Sequence, residues 1–126
     1  MPGQDRSTVR WLARGGLLVY WLVMFAATHL PPPAILVAVD VSDTWQHFVA
    51  YAGFGGLIGL LFATRNRRWL MAAWVITVSY AIVDEWSQGF VGRTPELKDW
   101  LADVAGATCG LLLGLLVIGL WKRGRP

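Results

Sequence analysis

The sequence predicts an all-α, polytopic membrane protein, a bundle of four transmembrane helices with both termini cytoplasmic. Three observations carry that expectation. Apolar residues make up 56% of the 126-residue chain and mean hydropathy is +0.49, well above a soluble domain of this length. The apolar residues fall into four stretches, each long enough to cross a hydrocarbon core of about 30 Å or nearly so. Basic residues cluster on one side of the resulting map: Arg6, Arg10, Arg14, Arg65, Arg67, Arg68, Lys122, Arg123 and Arg125 on the inner side, only Arg93 and Lys98 on the other. A single domain spanning 1–126 accounts for the whole length.

The first span covers about 11–30 and stops at Pro31-Pro32-Pro33, whose rings remove the amide donors a helix needs. The second covers about 45–64, with Asp40, Ser42 and Asp43 as available N-caps, and ends at Arg65-Asn66-Arg67-Arg68. The third covers about 69–88. Its purely apolar part ends at Val83, about 22 Å of helix at the usual rise, so Asp84 and Glu85 fall at the outer boundary of the bilayer. The fourth covers about 95–121, with Thr94 as N-cap, Pro95 at the first helical position and Glu96 in the first turn, where the helix dipole favours an anion.

Tryptophans agree with this map, with Trp11, Trp69 and Trp121 at the inner boundary and Trp45, Trp86 and Trp100 at the outer one. A cleaved signal peptide is the rival reading of the N-terminus; it would leave an odd number of spans. The lone Cys109 excludes an internal disulfide and reads as a packing residue. Net charge of +3 comes from clusters flanking spans, which are topology signals rather than a nucleic-acid footprint.

Polar chemistry is concentrated at one depth. Five of the eight carboxylates lie between Asp84 and Asp103. Asp43, His47 and Tyr51 recur at four-residue spacing on the second span, Asp84 and Gln88 on the third, Asp99 and Asp103 on the fourth, and His29 closes the first. Below them the stripes turn to glycine: Gly55 and Gly59 on the second span, Gly106, Gly110 and Gly114 on the fourth. Such small-residue ridges allow close helix approach. That seam would draw the polar ends of spans two and four together.

Asp43-Thr-Trp-Gln-His47-Phe-Val-Ala-Tyr51, Asp84-Glu85 with Gln88 and Phe90-Val91-Gly92-Arg93, and Asp99-Trp-Leu-Ala-Asp103-Val-Ala-Gly106 together resemble the VanZ-like family of small bacterial membrane proteins. The resemblance spans about Asp43 to Gly114. It implies a four-helix protein of the bacterial cytoplasmic membrane, in a family whose name comes from low-level resistance to the glycopeptide teicoplanin. Thr44 stands where many relatives carry Lys, and Asp103 where many carry Asn, which makes this site more anionic.

His47, Glu85, Asp99 and Asp103 are the candidate catalytic groups, since histidine beside buried carboxylates suits general acid–base chemistry and buried acids need a compensating proton, cation or ligand. Arg93, Tyr51, Asp84 and Gln88 are the candidate substrate-binding groups, Arg93 through a planar fork suited to phosphate or carboxylate. The plainer alternatives are that Asp43 caps its helix, Tyr51 and Gln88 hydrogen-bond across the bundle, Arg93 pairs with Asp84 or Asp99, Lys98 and Glu96 are solvated, and His29 is an interface histidine. A divalent cation such as Mg2+ is compatible with so many oxygen donors. No nucleophile motif, phosphate-binding glycine loop or paired-cysteine metal site is present, so these residues define a site and not a reaction.

The leading functional expectation is recognition, extending to chemical modification, of a lipid-linked phosphate or cell-envelope precursor at the outer leaflet, with reduced teicoplanin susceptibility as the phenotype. A non-enzymatic lipid- or drug-binding resistance module is the alternative. A small transporter ranks third, because the cytoplasmic halves of the spans lack intramembrane charges. A homo-oligomer fits all three readings; nucleic acid fits none.

Overall fold

Four long α-helices carry the chain in the computed structural model, which describes residues 6–31, 37–39, 41–63 and 65–124. They are α1 (Arg6–His29), α2 (Asp43–Phe62), α3 (Arg67–Gln88) and α4 (Leu97–Arg123), with a short 3-10 turn, Gly89–Val91, between the last two. No strand occurs among the described residues. Pro32, Pro33, Asp40 and Thr64, to which the sequence assigns a helix stop, a cap and a helix end, lie outside the described residues.

Helix starts follow capping chemistry. Ser42 caps α2, its side chain accepting from the Trp45 amide, so Asp43 is the first residue inside the helix and not its cap. Asn66 caps α3 by accepting from the Arg68 amide. The start of α4 corrects the expectation of a Thr94 cap with Pro95 at the first helical position: the N-cap is Glu96, in an extended conformation, and residues 93–96 are not helical. A contact invisible to local sequence accompanies this later start: the Glu96 amide donates to the Glu85 carboxylate of α3, tying the N-cap of α4 to the preceding helix. Gly92, at φ 79, supplies the left-handed residue that turns the chain back after the 3-10 turn.

α2 and α4 form the most extensive interface and run parallel. A methyl group built on Gly106 would overlap the Phe48 carbonyl, on Gly110 the Ala52 carbonyl, and on Gly55 the Ala107 carbonyl. On Gly114 it would come within 2.5 Å of the Gly56 carbonyl, and on Gly59 within 2.6 Å of the Leu111 carbonyl. The obstacles are backbone, so nothing at this seam can move aside. The expected glycine packing of these two helices is what the structure has. α1 covers one side through the Tyr20 hydroxyl, which donates to Ala50 O at 2.8 Å, and through Trp21 edge-on to Tyr80. α3 covers the other, with Trp74 Nε1 donating to Thr108 Oγ1 at 3.1 Å.

Burial is inverted relative to a water-soluble protein. The apolar core is small, chiefly Met24, Tyr51, Ala81 and Ala107, whereas Leu18, Leu22, Val23, Ile76, Ile82, Leu112, Leu113 and Leu116 face outward. Asp84, Glu85, Asp99, Asp103, His47 and Gln88 are buried. Apolar outside and polar inside is the arrangement a bilayer selects, since lipid tails solvate leucine and leave carboxylates to the bundle interior. Three helices are long and apolar enough to cross a membrane, over Trp11–His29, Asp43–Phe62 and Leu97–Arg123. α3, with Arg67 and Arg68 at one end and Asp84 and Glu85 at the other, is the more polar fourth. Cys109 is exposed on the flank of α4 rather than packed within the bundle.

Candidate functional site

The end of α1, the start of α2, the end of α3 and the start of α4 meet at one end of the bundle, and the buried polar groups gather there. The i, i+4 pair Asp43 and His47 on α2 faces the i, i+4 pair Asp99 and Asp103 on α4 across the glycine seam. His47 is 1% exposed and Asp103 0%; His47 Nδ1 donates to Asp103 Oδ1 at 2.9 Å. Glu85 Oε2 approaches the same nitrogen at 4.0 Å. Glu85 is itself held by two donors, the Gln88 side-chain amide at 3.2 Å and the Glu96 backbone amide.

Asp84, also 0% exposed, anchors α3 to α1. Its Oδ1 accepts from the Tyr80 hydroxyl at 3.0 Å and lies 3.2 Å from Thr28 Oγ1 and 3.7 Å from His29 Nδ1. His29 stacks on Phe25, contacts the Phe25 carbonyl through Nδ1 at 3.0 Å and Ser87 Oγ through Nε2 at 2.8 Å. It is thus a buried link between α1 and α3. Asp99, 2% exposed, accepts from the Thr44 hydroxyl.

Arg93 corrects another expectation. Its partner is Asp43, not Asp84 or Asp99, and its other terminal nitrogen donates to Thr28 O at 2.9 Å and Leu30 O at 3.4 Å. The guanidinium therefore ties the end of α1 to the start of α2. Lys98 pairs with Glu96 at 2.9 Å, both exposed, as the sequence suggests. Tyr51 is fully buried beneath the cluster, its hydroxyl without a hydrogen-bond partner among the described residues. Gln88 bonds to Glu85 on its own helix instead of across the bundle.

All eight residues named from the sequence thus fall at this end. Thr28, Ser87 and Tyr80 also belong to this end and are not among the candidates the sequence offers. Tyr80 carried a usable signal, since it precedes Asp84 by one helical turn and continues the Asp84 and Gln88 stripe; Thr28 and Ser87 carried none beyond their neighbours.

The electrostatics are unbalanced. Among the described residues, Asp84, Glu85, Asp99 and Asp103 pair with no Lys or Arg; the basic side chains that reach them are His29 and His47, and Asp99 has only the neutral Thr44 hydroxyl. His47 Nε2, Asp84 Oδ2 and Asp103 Oδ2 are buried without a hydrogen-bond partner. Isolated buried charges cost several kcal/mol each, so this cluster is built to hold something positive or to share protons.

A cleft of about 310 Å³ opens beside the cluster between α3 and α4, walled by Ile82, Trp86, Pro95, Leu97 and Trp100, with Glu85 and Glu96 as its polar members. Glu85 belongs to both the cleft and the buried cluster.

No curated protein and no solved structure matches the chain. The family model described as VanZ/LLP1 matches residues 20–118, a range that includes every one of these site residues, and the chain therefore belongs to the VanZ/LLP1 family.

Proposed function

We propose that this protein recognises a lipid-linked phosphate or cell-envelope precursor at the outer leaflet of the bacterial cytoplasmic membrane and acts on its head group, lowering glycopeptide susceptibility. Family membership already makes it a membrane protein of a group associated with glycopeptide resistance. The observation that carries the finer reading is the lateral cleft between α3 and α4. Its apolar walls, including two tryptophans, suit a lipid chain entering sideways from the bilayer, and its polar end is Glu85, 4.0 Å from the His47 ring nitrogen.

The orientation in this proposal follows from basic residues. With four spans and the Arg65 to Arg68 cluster and both termini inside, the polar end of the bundle faces out. Arg93 and Lys98 are the cationic side chains of that end, paired with Asp43 and Glu96; an anionic head group would compete with those carboxylates for them. Glu85, shared by cleft and cluster, is the group placed to exchange a proton with it.

The test is incubation of purified protein in lipid vesicles with a panel of lipid-linked phosphate precursors, followed by mass spectrometry. Conversion of one precursor supports the full reading. Retention without conversion reduces it to a binding module, and neither outcome with any precursor removes it.

A further inference from the structure

We propose that His47, Asp43 and Asp99 form a three-ligand site for a divalent transition-metal cation, of the Zn2+ or Mn2+ class, at the polar end of the bundle. One ligating atom from each of the three residues lies within 4.8 Å of the other two. A metal bound at about 2.1 Å holds neighbouring ligand atoms about 3.0 to 3.6 Å apart, so the three atoms close by at most about 1 to 2 Å, a distance within the reach of carboxylate rotation.

Three features single out this triad. His47 Nδ1 is committed to Asp103, which fixes the ring and leaves Nε2 as the ligating nitrogen; that atom is buried and without a partner. A carboxylate on the far nitrogen is the usual support of a metal-bound histidine, setting its tautomer and raising its basicity. Each carboxylate of the triad is likewise steadied through Oδ1, Asp43 by Arg93 and Asp99 by Thr44, leaving its second oxygen for a ligand. Finally, Asp99 is buried with no cationic partner among the described residues, so a cation here supplies the charge its environment lacks.

His47 also groups with Asp84 and Asp103 within the same 4.8 Å limit, deeper in the bundle. That alternative requires Nδ1 to give up its hydrogen bond, or Asp103 to serve both as support for the ring and as ligand on its opposite side. The upper triad needs neither. Its donor set of one imidazole and two carboxylates favours a borderline ion over the all-oxygen Mg2+ or Ca2+ environment suggested by the acid count alone. Three protein ligands leave at least one position for water or an anionic oxygen. His47 is then a ligand rather than the general base expected from the sequence. This site stands independently of which precursor, if any, the protein binds.

The experiment uses full-length protein with a histidine-free affinity tag, stripped with EDTA in detergent and titrated with Zn2+ by calorimetry and with Mn2+ by pulsed EPR. One saturable equivalent per chain is expected, with nitrogen coupling to Mn2+ that His47→Gln abolishes and His29→Gln preserves. Asp99→Asn should weaken binding at least about tenfold, and Glu96→Gln, which removes another carboxylate at the same end, should leave it unchanged. Absence of saturable binding, absence of nitrogen coupling, or coupling that follows His29 would overturn the proposal. So would a loss produced by Asp84→Asn in place of Asp99→Asn, which would put the ion in the deeper triad. If Asp99→Asn does not fold, the nitrogen coupling and stoichiometry of the unmodified protein still decide.

Discussion

His47 and Asp103 are joined across the α2–α4 seam by a buried 2.9 Å hydrogen bond, one residue from each of the two helices whose backbones touch through glycine. Only the acceptor oxygen of Asp103 is required for that bond. Asp103→Asn should therefore keep His47 in place while removing one of four buried carboxylates, and the melting temperature of EDTA-treated protein should hold or rise. Asp103→Val should instead leave the buried Nδ1 proton without its acceptor, at a cost of about 1 to 3 kcal/mol. Thermal denaturation of both variants in one detergent checks the contrast; equal destabilisation would show that the negative charge, not the hydrogen bond, matters.

The glycine seam separates cleanly from glycines in open space. A methyl group at Gly110 meets the Ala52 carbonyl, whereas at Gly119, on the same helix, it meets nothing within 4 Å. Gly110→Ala should cost about 1 to 3 kcal/mol or more, because backbone must shift to admit it. Gly119→Ala should be neutral or stabilise by up to about 1 kcal/mol from helix propensity. Equal effects of the two in reversible unfolding would contradict the packing.

The proposed arrangement of four spans with both termini inside predicts a labelling pattern. Cys109 is exposed on the flank of α4 and must first be replaced by serine. In that background a cysteine at Val91 should react with a membrane-impermeant maleimide added to intact cells, and one at Asn66 should react only after lysis. The reverse pattern would invert the bundle, and labelling of both from outside would mean that α3 does not cross.

The helices and their seam were legible because both depend on local spacing. Glycines at four-residue steps below Asp99 and Asp103 identify a packing face without any knowledge of its partner, and the partner stripe on the second span carries the same mark. What was not legible depended on the chain between helices. The route after Gln88, through a left-handed Gly92, sets Arg93 against Asp43 and the Thr28 carbonyl instead of the nearer-looking acids. Glu85, eleven positions before Glu96, accepts from the Glu96 amide, and the helix begins at Leu97 instead of Pro95. Both errors arise where a side chain from one element satisfies the backbone or charge of another, which no local pattern records.

Arg93 offers a measurable consequence of that rearrangement. With its side chain 18% exposed and partners on α1 and α2, Arg93→Lys keeps the charge but cannot reach Asp43 and both carbonyls with one ammonium. A loss of about 1 to 2 kcal/mol is expected. Hydrogen exchange should quicken at the end of α1 and the start of α2 in this variant and stay unchanged at the glycine seam; uniform quickening would mean that the clamp supports the whole bundle.

Function and folding separate best at Asp99. Glu85 accepts from two donors, Gln88 and the Glu96 amide, so Glu85→Gln turns an amide toward one of them and should lose about 1 to 3 kcal/mol. Asp99 accepts from Thr44 through one oxygen, a bond that asparagine retains, and the exchange removes a buried charge that lacks a cationic partner among the described residues. Asp99→Asn should therefore match or exceed the melting temperature of the unmodified protein without metal, while teicoplanin susceptibility returns to that of cells lacking the protein. Stability and susceptibility must be read on the same variant. A stable Asp99→Asn protein that still confers resistance would remove this carboxylate from the site, and loss of fold together with resistance would assign it a structural role.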